Sequence, residues 1–272
     1  MKFIRIISIF FILIIFGFVA YFALSPNPPF WTGFGESTVK SNIEPAKTLW
    51  DWLDLLIIPL AILLLGWSYK EFEKARLQKN EDERSRNEAL ESFINVMTEL
   101  IIDYNLTSPS NHKAKAIAKT RINMTLSMID GSRKSQVLQF LYQSDLIDKN
   151  PILPLIGADF NNSILDNIVL LNAEIKGAYF ENASIQNANI NNINLNSSNL
   201  TNINLSGSTV ENADFSYTNL ANAKMNNMDL RTVNFEGSNL TNANLKKSRI
   251  TKEQLDLIIH KDSIKTTKGL VS

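Results

Sequence analysis

From Phe160 to Ile250 every fifth residue is large and apolar, through nineteen consecutive pentads without a slip of register. The centres are drawn only from Phe, Leu, Ile, Val and Met, and a small residue (Ala, Ser or Thr) stands two places before most of them. Ile168, Ile193, Ile203, Met228 and Val233 are the larger exceptions. A period of five fits neither an amphipathic helix nor a flat strand, so these side chains can share one interior only in a solenoid.

If each pentad forms one side of a square, four pentads make a coil, and equivalent residues of successive coils stack about 4.8 Å apart. The inward columns can then be read down the sequence. Phe160, Phe180, Leu200, Leu220 and Leu240 form one, and Ile175, Leu195, Phe215 and Phe235, with Leu255 next in line, form another. Phe160 with Phe180, and Phe215 with Phe235, are neighbours in their columns, where ring contact adds to area burial. Asn162, Asn182, Asn202, Asn222 and Asn242 share one corner, a position that favours residues tolerant of positive φ and that allows an amide ladder between coils. Thr251 and Gln254 make a capping box ahead of the apolar run to Ile259, which predicts a short helix closing the far end.

The pentads, among them Ala213-Asp-Phe-Ser-Tyr217, Thr218-Asn-Leu-Ala-Asn222 and Ala243-Asn-Leu-Lys-Lys247, resemble the Ala-(Asp/Asn)-Leu-X-X pattern of the pentapeptide-repeat family over residues 158 to 252. The resemblance implies a right-handed quadrilateral parallel β-helix. Some soluble members of that family mimic DNA and bind gyrase through a strongly acidic column. Here residues 158–252 carry eight acidic side chains against seven basic ones, in a chain of zero net charge, which argues against that role and against nucleic acid as a partner. There is no cysteine, so no disulfide or thiolate metal site can form.

The N-terminal part reads differently. Ile6 to Leu24 is apolar apart from Ser8 and Gly17, enough for about 28 Å of helix. A cleaved signal peptide is the rival, but the run is too long and Tyr21 stands where a small residue would precede cleavage near Ala23. A second run, Leu53 to Tyr69, is bracketed by Trp50 and Trp52 and by Trp67 and Tyr69, with Pro59 inside it. Lys2 and Arg5 precede the first run, and Lys70, Lys74, Arg76 and Lys79 follow the second. The intervening segment has only Lys40 and Lys47, so both termini are expected to be cytoplasmic. Asp51 and Asp54, at the outer mouth of the second span, have two readings. They are helix-start carboxylates in the headgroup region, or an acidic ring lining the pore of an oligomer.

Residues 70–91 are rich in both charges with almost no apolar stripe, and predict a solvated helical stalk. Apolar residues then return at helical spacing at Leu90, Phe93, Met97, Leu100 and Tyr104. The stripe has to bury against helices near 112–129 (Ile117, Met124, Met128) and 133–147 (Val137, Leu138, Leu141), or against a second copy of itself. Asp130-Gly131 punctuates the two helices, and Pro151 and Pro154 end the helical region. Trp50 to Leu60, Arg86 to Ile94 and Arg133 to Ile147 are similar to the segments ahead of the repeats in membrane-anchored bacterial pentapeptide-repeat proteins, frequent in cyanobacteria. That likeness spans residues 48 to 252 and implies a place in the bacterial inner membrane.

The expected fold is thus an α+β membrane protein. A membrane anchor (1–69, spans 6–24 and 53–69, outer loop 25–49) leads to a cytoplasmic helical stalk and collar (70–150). The β-helix (151–252) and a capping helix and tail (253–272) follow. His112 and His260 read as surface residues, and no phosphate loop, metal-ligand spacing or nucleophile elbow is present. No enzyme activity and no cofactor are expected. The first functional reading is a membrane-tethered scaffold presenting the column to an unidentified protein partner. The second is an oligomeric membrane effector or channel gathered around Asp51 and Asp54.

Overall fold

The computed structural model describes Tyr21, residues 49–260, Ile264 and Lys265, with the side chains of 49–58 and 60 outside the description. The chain divides into two units, 1–80 and 81–272. The expected first span, 6–24, lies outside the described residues apart from Tyr21. The second, 53–69, falls within helix α1 (Leu49–Ile102), which contains Pro59 and continues through the charged segment. Among the described residues no helix is long and apolar enough to cross a membrane.

The second unit has one continuous core, running from Leu90 to Ile258. Its larger part is a four-sided column. Parallel bridges join residues twenty apart, from Asp159 with Tyr179 to Asp229 with Arg249, as four five-residue sides per coil require. The N–H of most centres donates to the coil above, Phe160 to the Tyr179 carbonyl at 2.8 Å and Leu200 to that of Asn219 at 2.8 Å. Each side holds only a couple of paired residues before the corner turns. The corner residue supplies the turn: Asn162, Asn182 and their equivalents take φ near +60°, where Asn pays less than other L residues, and Gly157, Gly177, Gly207 and Gly237 do the same without a Cβ. The centres are buried, including Phe160, Phe180, Leu200, Phe215, Leu220, Phe235 and Leu240. Phe160 and Phe180 stack at 5.2 Å, whereas Phe215 and Phe235 meet at 5.9 Å with their planes tilted by 59°. Full burial of such side chains contributes roughly 1.5–3 kcal/mol each.

The small residue two places before the centre lies inside the turn, and serine there has a further task. Ser198 donates to the Ile175 carbonyl and accepts from the Ala178 N–H, both in the coil below, and Ser208 does the same for Ile185 and Ala188. A buried hydroxyl thus satisfies two backbone groups that the tight turn leaves without each other.

The near end of the column is sealed by helices α2 (His112–Met128) and α3 (Gly131–Gln143), packed with the last turns of α1. Leu90, Phe93, Met97 and Leu100 are buried, and Phe93 meets Phe140 edge-on at 5.7 Å, so the α1 stripe is used up inside its own unit. Two expectations need correction. Tyr104 is exposed because α1 ends at Ile102 and the chain turns there, letting Leu106 take the buried place. The α2 face carrying Ile117, Met124 and Met128 is also exposed; α2 instead buries Ala114, Ala118, Ile122 and Leu126, an equally helical spacing whose alanines permit close approach.

Collar and column are joined by backbone. The Ile164 N–H donates to the Gly131 carbonyl at 3.1 Å and the Glu174 N–H to that of Ile147 at 2.8 Å, so the collar supplies acceptors where a preceding coil would. The Tyr142 hydroxyl accepts from the Leu171 N–H, and Lys134 reaches the Asp159 carboxylate at 3.0 Å. Gly131 is required by this contact, since a Cβ there would run into the Asn162 carbonyl oxygen. At the far end the capping box of Thr251 and Gln254 opens helix α4 (Lys252–Leu257). Leu255, expected as another rung of its column, is a half-buried residue of that helix. The following residues return to the ladder: Leu240 donates to the His260 carbonyl and Leu245 to that of Lys265. Gln254 Nε2 meets the carbonyls of Leu230 and Val233 at 2.7 and 2.6 Å. Both edges that would template aggregation are therefore covered.

Candidate functional site

The column offers its outer surface, and most of that surface is amide and hydroxyl. The residue before each centre is typically Asn or Asp, and its side-chain oxygen accepts the N–H two residues on, as from Asn199 to Thr201 and from Asp214 to Ser216. This Asx turn fixes the side chain in place. Adjacent coils then link through the same positions, Asn239 to Asn219 at 3.1 Å and Asn234 to Asp214 at 3.1 Å. The expected corner ladder is narrower than its column of asparagines suggested. Asn162, Asn182, Asn202, Asn222 and Asn242 all have positive φ, but only the Asn202 to Asn182 rung forms among them, at 3.0 Å. The corner selects Asn for its backbone, and the left-handed turn leaves these amides exposed.

Charge is sparse and in part paired. Asp229 holds Arg231 at 2.7 Å and lies 3.6 Å from Arg249. Hydrogen bonding from Arg231 outweighs burial and holds the Asp229 carboxyl below its ordinary value. The Tyr217 hydroxyl donates to Glu236 at 3.1 Å, which pushes its pKa up. Where collar meets column, a groove of about 360 Å³ is lined by Gln139, Tyr142, Ile164 and Val169, the last two half or more exposed.

The face centred on Leu170, Ile190, Val210, Leu230 and Ile250 carries the one interruption. Of the pairings from 159–179 to 229–249, Thr209 with Asp229 is absent. Among the described residues the Val210 and Asp229 N–H groups have no acceptor, and the Asn212 N–H goes to the Thr232 hydroxyl at 2.9 Å instead of a backbone carbonyl. A cleft of about 670 Å³ lies there, lined by Asn191, Thr209, Glu211, Met228, Asp229 and Arg231. This feature was missed in the sequence, although its signal was present: Thr232 is the single β-branched residue among the corner positions from 157 to 247.

His112 and His260 are exposed, the first opening α2 and the second pairing with Asn239. Among the described residues no group of three or more His, Cys, Asp or Glu is placed to hold a metal ion. The side chains of Asp51 and Asp54 lie outside the described residues.

Residues 155–251 match the family model of pentapeptide repeats in overlapping stretches, 155–192, 173–212, 193–231 and 213–251. These residues form a pentapeptide-repeat domain. Several solved structures are similar to part of the chain. HetL from the cyanobacterium Nostoc sp. strain PCC 7120, involved in heterocyst differentiation regulation, is 24% identical over 36% of this chain and 53% of its own, at a TM-score of 0.29. A protein of the Arabidopsis thaliana thylakoid lumen is 22% identical over 36% of this chain and 66% of its own, at 0.29. QnrB1, a plasmid-mediated fluoroquinolone resistance protein, is 18% identical over 41% and 59%, at 0.21. The chain spans between 53% and 66% of the length of these three. No curated protein matches it.

Proposed function

We propose that this pentapeptide-repeat protein is a membrane-tethered interaction scaffold without catalytic activity, which presents its column to a protein partner on the cytoplasmic side of a bacterial inner membrane. The observation that carries the reading is the pre-ordered outer surface. Its Asn and Asp side chains are locked by Asx turns and by rungs to the next coil, so a partner meets polar groups whose rotamers are already fixed and loses little side-chain entropy on docking. The tether rests on the two apolar runs, Ile6 to Leu24 and Leu53 to Tyr69, with their asymmetric basic flanks.

The scaffold is favoured over an oligomeric channel by one contact set. Leu90, Phe93, Met97 and Leu100, the stripe that would join copies, are buried in their own unit. The test is affinity purification of the full-length chain from detergent-solubilised membranes, beside a chain ending at residue 150. A partner retained by the first and lost from the second is expected. Equal recovery from both would end the scaffold reading, and ion flux from liposomes carrying an oligomer would replace it with the channel.

A further inference from the structure

The interruption at Thr209 and Asp229 has a cause that the molecule itself isolates. Large residues two places before the centre are not responsible, because Ile168, Ile193 and Ile203 still accept from Asn189, Asp214 and Lys224 across intact rungs. Nor does an unusual corner residue suffice, since Ser197, Tyr217 and Lys247 take φ of +59°, +56° and +61°. What distinguishes this corner is Thr232, which alone among positions 157, 162 and so on to 247 does not adopt positive φ. A β-branched side chain is the costliest to force into the left-handed region. The Val233 N–H still closes the turn on the Leu230 carbonyl at 3.0 Å, but without a left-handed residue in it residues 229–231 do not present their backbone to the coil below. The Thr232 hydroxyl takes the Asn212 N–H in place of the lost carbonyl. On the other side the same pentad stays paired, Leu230 donating to Arg249 at 2.8 Å and Arg249 to Met228 at 2.9 Å. Asp229 reinforces that side through Arg231 and Arg249.

We propose that Thr232 builds a hinge into one face of the column, at which the coil carrying Asp229 can part from the coil carrying Thr209 while the other three faces stay zipped. The other faces supply the pivot: Asn204 with Lys224, Asp214 with Asn234 and Asn199 with Asn219 are all bridged. The opened face is the cleft bounded by Glu211 and Arg231, so its width is governed by this rung. The device is conformational and holds whether or not the column serves as a scaffold.

Residue-resolved hydrogen exchange on the full-length protein tests it. The Val210 and Asp229 amides should exchange at least ~10-fold faster than Ile190 and Thr209, their equivalents one coil below. Thr232→Asn, which installs the residue used at most other corners, should let the corner residue take the left-handed conformation of its equivalents and bring both amides back to their neighbours' rates. Asn192→Thr, one face position removed by two coils, should transfer fast exchange to Leu170 and Asn189. Uniform protection along this face in the native protein would overturn the hinge. So would fast exchange at Val210 and Asp229 that persists in Thr232→Asn, a substitution that the surrounding corners show the fold accepts; if Asn192→Thr fails to fold, that comparison decides alone.

Discussion

At the scale of single residues the column is unforgiving inside and permissive outside. Leu220 is fully buried between Leu200 and Leu240. Replacing it with Lys puts an unpaired charge in the stack at a cost of several kcal/mol, enough to unfold a domain of ordinary stability. Limited proteolysis should show residues 151–260 cut rapidly in Leu220→Lys, with the segment before residue 80 unaffected; unchanged resistance would mean that the register is wrong. Nearly every core position was legible in the sequence, because a five-residue period leaves no choice about which side chain points inward. The corner conformations were legible too, through Asn and Gly. Which asparagines bond to one another was not, since that depends on where an exposed amide comes to rest after the turn has formed.

Among elements, the junction between α1 and α3 carries the pH dependence. Asp130 is the N-cap of α3, accepting from the Arg133 N–H, and it also faces the Arg133 and Arg86 guanidiniums. Arg133 reaches Glu83 at 2.7 Å and Asn87 at 2.9 Å on α1, and Arg86 pairs with Glu83 and across to Asp130. Burial pushes the Asp130 carboxyl up, but the Arg133 N–H, the Ser132 hydroxyl and the two guanidiniums outweigh it and hold it below its ordinary value. A carboxyl whose folded pKa is lowered adds stability above its unfolded pKa and loses it as pH falls through the folded one. Chemical denaturation should therefore show stability declining below about pH 4. In Asp130→Asn, which keeps the cap but not the charge, stability should be lower at neutral pH and that decline shallower. The outer pair Arg84 with Glu88, at 2.8 Å and largely exposed, adds little. The existence of the helices and the break at Asp130-Gly131 were readable here, whereas the caps Asn111 and Asp130 and the buried face of α2 were not: the stripe with Ile117 and the stripe with Ala114 both repeat at helical spacing, and only the neighbours choose.

For the whole molecule the proposed address and the proposed work reside in different units. Deleting residues 1–69 should release the protein from sedimenting membranes into the soluble fraction with residues 81–272 still folded, because their core closes without the first unit. Retention of the truncated chain on membranes after a salt wash would shift the tether to another surface. The near balance of acids and bases on the column predicts no competition with DNA for a DNA-binding enzyme.

The sequence by itself determined the solenoid, its register, its core and the residues that turn its corners, because each follows from a local rule repeated every five residues. The tertiary structure alone decided what happens where the repetition stops or fails. The collar lends backbone acceptors to the first coil and the tail after α4 lends them to the last, and no period encodes such contacts between unlike segments. The corner at Thr232, which turns without a left-handed residue, also belongs there, since a missing rung exists only between two coils already stacked.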